Sequence, residues 1–268
     1  MFSAGHILLL MICLFLGGGG ILYCVKTKPP IERVLFVCMI LCFISEVVKI
    51  LGNIEIVPVM EMVVENGALV YRPTGVFTPY LEAEHLPFEL CSYQLFFIPI
   101  ALYMKRTKWR RRLFDFLYTT CVIGGVMGLL FYFPTTEVSS FLGFFTSVNL
   151  WRSFLYHTML VVLGIYIGVS KECSIRFQDV RWTIFFVLLL DSASFYMNSM
   201  MATPYYQGDE LMGVAKAINY FNSYNNPLGI IMSNKGQWLI YLGIRILLAL
   251  SLMILVNLPL RGRVKEKG

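Results

Sequence analysis

The sequence predicts an all-α polytopic membrane helix bundle of about seven transmembrane helices, with the N-terminus outside and the C-terminus in the cytoplasm. Three observations predict it. Of 268 residues, 57% are hydrophobic and only 14% charged, and the mean hydropathy is +0.70, far above what a water-exposed domain carries. Apolar runs of spanning length recur along the chain, and the basic residues between them alternate from one connection to the next. The whole of 1-268 reads as a single integral membrane domain, with no room for a separate soluble catalytic one.

Taken in order, the runs lie at about Ala4–Val25, Val34–Leu51, Leu86–Met104, Leu113–Phe133, Leu150–Val169, Trp182–Met201 and Gln237–Val256. A helix needs roughly 20 apolar residues to cross the hydrocarbon core. The first run has no cationic segment before it and no small-residue cleavage site after it, so it is expected to be a retained span rather than a signal peptide. Its Gly17-Gly18-Gly19-Gly20 stretch suits close helix packing, since small residues let backbones approach; the other reading is a thinned wall beside a lipid-sized cavity.

Basic residues follow the first run (Lys26, Lys28, Arg33), the third (Lys105, Arg106, Lys108, Arg110, Arg111, Arg112), the fifth (Lys171, Arg176, Arg181) and the last (Arg261, Arg263, Lys265, Lys267). By the positive-inside rule these connections are cytoplasmic, which sets the N-terminus outside. The net charge of +6 is thus an orientation signal, and nucleic acid is not an expected partner. The expected partners are membrane lipids. The two long outer loops, Asn53 to His85 and Ala202 to Gly236, mix apolar and polar residues, as segments on a membrane surface or over an outward cavity do.

Seven cysteines (13, 24, 38, 42, 91, 121 and 173) fall mostly inside apolar runs without zinc-type spacing, so neither a disulfide framework nor a metal site is expected. Six of them read as small packing residues. No phosphate-cradling Gly-Lys loop occurs, and His6, His85 and His157 do not make a haem site; no cofactor is expected.

Ionisable groups inside spans are costly and by default face a bundle interior or an aqueous cavity. The second run carries Glu46 and Lys49 on one face and the third Cys91 and Gln94 on one face; the fifth begins with Arg152 and His157, the sixth carries Asp191, Ser194 and Asn198 at i, i+3, i+7, and the seventh Gln237, Tyr241 and Arg245 at i, i+4, i+8. Cys91 lies five residues and His157 seven inward from the outer ends of their runs. At 1.5 Å per residue both are about 7 to 11 Å deep. A thiol and an imidazole at one depth are the ingredients of nucleophilic acyl transfer, although a Cys in a span also serves for packing and a His for interior hydrogen bonding. Arg152 or Arg245 can bind a headgroup phosphate, or can pair with Glu46, Glu89 or Asp191 for structure.

The Leu86-Pro87-x-x-Leu90-Cys91 opening, Arg152 followed by His157, and Asn219-Tyr220 through Asn226-Pro227-Leu228 resemble the YwaF-type family of bacterial integral membrane proteins. Its eukaryotic relative is transmembrane protein 164, an acyltransferase acting on ether phospholipids. The resemblance follows span order through nearly the whole chain. It implies that Cys91 and His157 act together, because a Cys in that motif and a His in a later span do so in the eukaryotic enzymes. Glu89 stands where bacterial members commonly have Gln or His, and Ala217-Ile218 where Gly-Thr is expected. The leading expectation is a membrane-embedded acyltransferase or ester hydrolase working on lipid or acyl esters in the outer half of the bilayer. Its catalytic residues would be Cys91 and His157, its substrate-binding residues Arg152, Arg245, Asn198, Gln94 and Glu46. The alternatives are a transporter or permease using the intramembrane charges, and a non-enzymatic membrane sensor.

Overall fold

A computed structural model describes residues 4–65, 68–131, 146–207, 210–216, 220–222 and 234–261. Seven α-helices are found among them: α1 (Ala4–Thr27), α2 (Ile31–Asn53), α3 (Gln94–Tyr103), α4 (Lys108–Leu130), α5 (Val148–Val169), α6 (Val180–Met201) and α7 (Lys235–Asn257). All but α3 are long and apolar enough to cross a membrane. At 1.5 Å per residue, 22 to 24 residues make helices of about 35 Å, longer than the hydrocarbon core. The chain is a multi-pass α-helical membrane protein.

Polar caps mark where three of these helices begin. The side chains of Thr107, Ser147 and Asn234 accept from the backbone N–H groups of Arg110, Leu150 and Gln237 and open α4, α5 and α7. Each satisfies a donor that the first helical turn leaves without a partner. The surface is apolar where lipid would lie: Phe15 is 82% exposed and Met200 79%. The buried core runs through α2, α3, α4 and α5, around Leu35, Ile98, Leu117, Leu160 and Leu163.

The third apolar run differs from the expected span. Only its second part, α3, is α-helical, and ten residues reach about 15 Å, half the core. Pro87 and Pro99 each remove a backbone donor, and residues 86–93 pass in turns before the helix starts. Irregular backbone at membrane depth is tolerated where protein surrounds it. Here it packs against α4, α5 and residues 220–221.

Both long loops, Asn53 to His85 and Ala202 to Gly236, contain β-hairpins not expected from the sequence. Strand β1 (Glu55–Glu65) pairs antiparallel with β2 (Ala68–Tyr80), from Glu55 opposite Tyr80 to Glu65 opposite Ala68. Strand β3 (Thr203–Gln207) pairs with β4 (Glu210–Lys216). They lie on the side of the bundle opposite the basic connections. A two-stranded ribbon can carry Pro58, Pro73 and Pro79 because both strands have a free edge.

Gly17 and Gly20 face α5, where added Cβ atoms would come within 3.1 Å of Thr158 and 3.4 Å of Val162, whereas Gly18 and Gly19 would meet nothing. Half of the glycine run therefore serves close packing. All seven cysteines are free thiols, and six are buried; Cys91 is half-buried.

Candidate functional site

The site is set by the contact between α4 and α5, which run antiparallel and meet backbone to backbone. A Cβ on Gly125 would lie 2.8 Å from the carbonyl oxygen of His157, and one on Gly164 would lie 3.2 Å from Cβ of Cys121. Such approach needs glycine on the contact face. One turn further along α4, a Cβ on Gly128 would fall 2.1 Å from Cδ2 and 2.3 Å from Nε2 of His157. The imidazole thus occupies the space a side chain at position 128 would need. Cys91 uses the same face one turn deeper, its Cβ 3.7 Å from where a Cβ on Gly124 would stand. The two glycines are four residues apart, about 6 Å along the helix.

Hydrogen bonds hold both groups in place. Nδ1 of His157 lies 2.7 Å from the carbonyl oxygen of Ser153 and 3.4 Å from its hydroxyl. A carbonyl only accepts, so Nδ1 carries the proton and Nε2 presents its lone pair at the Gly128 surface. Nε2 makes no hydrogen bond among the described residues. Tyr156 donates its hydroxyl to the carbonyl oxygen of Cys91 at 2.7 Å, fastening the turn before α3 to α5. Three residues on, Gln94 is wholly buried and donates to Thr120 Oγ1 at 2.9 Å and to the Leu90 carbonyl at 3.3 Å. It pins α3 to α4 and fixes the position from which Cys91 projects.

The remaining candidates fall into two groups. Arg152 and Glu46 belong to the α2–α5 wall beside His157. Arg152 donates to Ser45 Oγ at 3.4 Å, and Glu46 pairs with Lys49 at 2.7 Å on α2. Arg245 and Asn198 stand apart, on α7 and α6. Arg245 binds both carboxylate oxygens of Asp191, at 2.8 and 2.6 Å, and donates to the carbonyl of Phe221. Asn198 bonds the backbone of Tyr220 in both senses, donating to its carbonyl at 3.2 Å and accepting from its N–H at 2.9 Å. Glu89 accepts from the Phe221 N–H at 3.4 Å, and the Tyr220 hydroxyl donates to the carbonyl of Ala83. Asn198, Arg245 and Glu89 therefore clamp residues 220–222 over the turn that carries Cys91.

The pair of glycines under Cys91 and His157 was not among the residues singled out from sequence, nor were Tyr156 and the Glu89–Phe221 contact. Gly124-Gly125-x-x-Gly128 in the fourth apolar run is a legible small-residue signal of close helix contact. Asn226-Pro227, Ala217-Ile218 and the basic residues after Arg261 lie outside the described residues. Among those described, no group of three or more His, Cys, Asp or Glu side chains could hold a metal ion.

Fold and site together define a multi-pass helical membrane protein with a thiol and an imidazole seated on adjacent turns of one helix face. The chain belongs to the TMEM164 family, whose model matches residues 1–256, and the expected relation to transmembrane protein 164 holds. No curated protein and no solved structure matches it.

Proposed function

We propose that the protein is a membrane-embedded acyl-transfer enzyme that moves a fatty acyl group from a lipid or other acyl ester through a thioester on Cys91. His157 Nε2 takes the proton from Cys91 Sγ across one bridging hydroxyl, since the two anchoring glycines are one helical turn apart. The thiolate attacks the ester carbonyl carbon, the C–O bond breaks, and the imidazolium returns its proton to the leaving alkoxide. A second hydroxyl then gives its proton to Nε2 and attacks the thioester, the C–S bond breaks, and the thiol is reformed. An alcohol acceptor completes transfer; water completes hydrolysis. Arg152, five residues before His157, is the residue assigned to a headgroup phosphate. Asn198, Arg245 and Gln94 are positioning residues in this reading, and Glu46 borders the site while it neutralises Lys49.

The observation that carries the proposal is the hydrogen bond between His157 Nδ1 and the Ser153 carbonyl. It leaves Nε2 as a base on the helix face where Cys91 also sits. The bacterial plasma-membrane setting rests on the YwaF-type resemblance alone. The permease reading drew on Glu46, Lys49, Asp191 and Arg245, which are paired with one another as Glu46–Lys49 and Asp191–Arg245.

The test is acyl exchange on a radiolabelled phospholipid by purified protein, with hydroxylamine-sensitive label retained on the polypeptide. Cys91→Ala should lose both the label and the exchange. An active protein whose exchange survives Cys91→Ala would sink the mechanism.

A further inference from the structure

An apolar groove lies on the opposite side of the bundle from Cys91, on the side of the basic connections, and does not depend on the chemistry of that thiol. Because α3 has only ten residues and ends at Tyr103, it leaves a half-open groove of about 170 Å³ between itself, α4 and α6. Phe97 and Ile100 of α3, with Met104 just past its end, form one wall. Trp109, Leu113 and Phe116 form the other at i, i+4, i+7 of α4, with Phe186 of α6 completing it. The contact of Phe97 with Phe116, ring centroids 4.8 Å apart, closes the inner end. From there to Met104 and Trp109 is seven residues, about 10 Å of rise along each wall. An apolar cavity of about 150 Å³ is large enough to take a hydrocarbon ligand of benzene size.

The mouth of the groove is cationic, and half of its cations form no ion pair among the described residues. Of the six basic residues from Lys105 to Arg112, three are committed: Arg106 and Arg110 to Glu32 at 3.3 and 3.1 Å, and Arg111 to Asp179 at 2.8 Å. Lys105, Lys108 and Arg112 form no ion pair among the described residues. Arg112 is held rather than free to swing, its guanidinium carbon 4.5 Å from the Trp109 ring centre and 3.8 Å from that of Trp182. Its Nε is buried without a hydrogen-bond partner, which is costly for a charged donor. Trp109 is shared: it stacks on Arg112 and also lines the groove. Lys108 is the first residue of α4, so the positive end of that helix adds to the field at the mouth.

We infer that this groove binds one anionic glycerophospholipid, an acyl chain lying between α3 and α4 and the phosphate meeting Lys105, Lys108 and Arg112. The apolar wall supplies the chain site, and the uncompensated charge selects an anionic headgroup over a zwitterionic one, whose choline would face the same cations. A surface attraction of Lys and Arg alone would not require the groove, and a chain filling the groove alone would not require the charge. Both features meet at Trp109.

The full-length protein, taken from nanodiscs of equal parts dioleoyl phosphatidylglycerol and dioleoyl phosphatidylcholine, should retain one phosphatidylglycerol in native mass spectrometry. Lys105→Gln/Lys108→Gln changes only exposed side chains and should lower that retention about fivefold for each charge removed. Arg112→Gln should lower it further, with the thermal midpoint showing whether the tryptophan stack survives. Ile100→Phe, which fills the groove without touching charge, should release the lipid as well. Equal retention of the two lipids overturns the proposal, and so does retention unchanged by Ile100→Phe or by the double lysine variant.

Discussion

His157 occupies the space that glycine leaves open at position 128: the imidazole Nε2 stands 2.3 Å from where any side chain there would place its Cβ. A base is thus built from two helices, one supplying the ring and the other the space for it. The backbone of Gly125 one turn away makes the same demand of α5, so neither helix can drift without opening the site.

Gly128→Ala should therefore push the imidazole off its seat. Overpacking of this kind costs about 1 to 3 kcal/mol, so a lower unfolding midpoint should accompany loss of acyl exchange. Gly18→Ala is the matched control, because a Cβ there meets nothing; its midpoint should be unchanged or slightly raised. Equal behaviour of the two variants in both assays would contradict the seat.

The clamp on residues 220–222 predicts a different signature. Asp191 and Arg245 are paired at 2.6 Å with little exposure, and removing one partner of a buried pair costs about 3 to 5 kcal/mol. Asp191→Leu should destabilise strongly, while Asp191→Leu combined with Arg245→Leu should recover part of the loss. Double-mutant analysis of thermal unfolding measures the difference. Asn198→Ala removes both bonds to Tyr220 and should expose residues 220–222 to added protease with a smaller change in midpoint.

Most of the bundle was legible because hydropathy reports burial in lipid directly. The expected run Trp182–Met201 became α6 and Gln237–Val256 became α7, with ends differing by no more than two residues. The third run misled because apolarity does not distinguish a helix from buried irregular backbone, and Pro87 with Pro99 was the signal that it would not run straight. The first hairpin was also signalled. Asn66-Gly67 stands between Val63-Val64 and Val70-Tyr71, β-branched and aromatic residues around a favoured turn dipeptide. Arg245 shows the limit of reading depth alone: a cation at the right height proved committed to Asp191 and Phe221, which only helix rotation decides.

Topology is testable through cysteines placed on the two sides. Thr74 lies exposed in β2 and Lys105 exposed in the connection before α4. With the N-terminus outside, Thr74→Cys should react with a membrane-impermeant maleimide on intact cells, and Lys105→Cys only after permeabilisation. The opposite pattern would invert the orientation and move Cys91 to the cytoplasmic half.

Cys173 supplies the prediction that depends on pH. It lies in the connection between α5 and α6, outside the spans, yet only 2% of it is exposed. Burial pushes its thiol up to about 12 from 9.0. Because the folded value lies above the unfolded one, the protonated thiol favours the folded state. That contribution is complete below pH 9 and is lost progressively as pH rises through the folded value. The thiolate is the species that reacts, so labelling of native Cys173 by maleimide should stay slow up to pH 9, where an exposed thiol would react within minutes. Denaturant should release it at any of these pH values. Rapid labelling of the folded protein at pH 8, located by peptide mass at Cys173, would show that the connection does not close over the thiol. The alkaline loss of stability should then be absent as well.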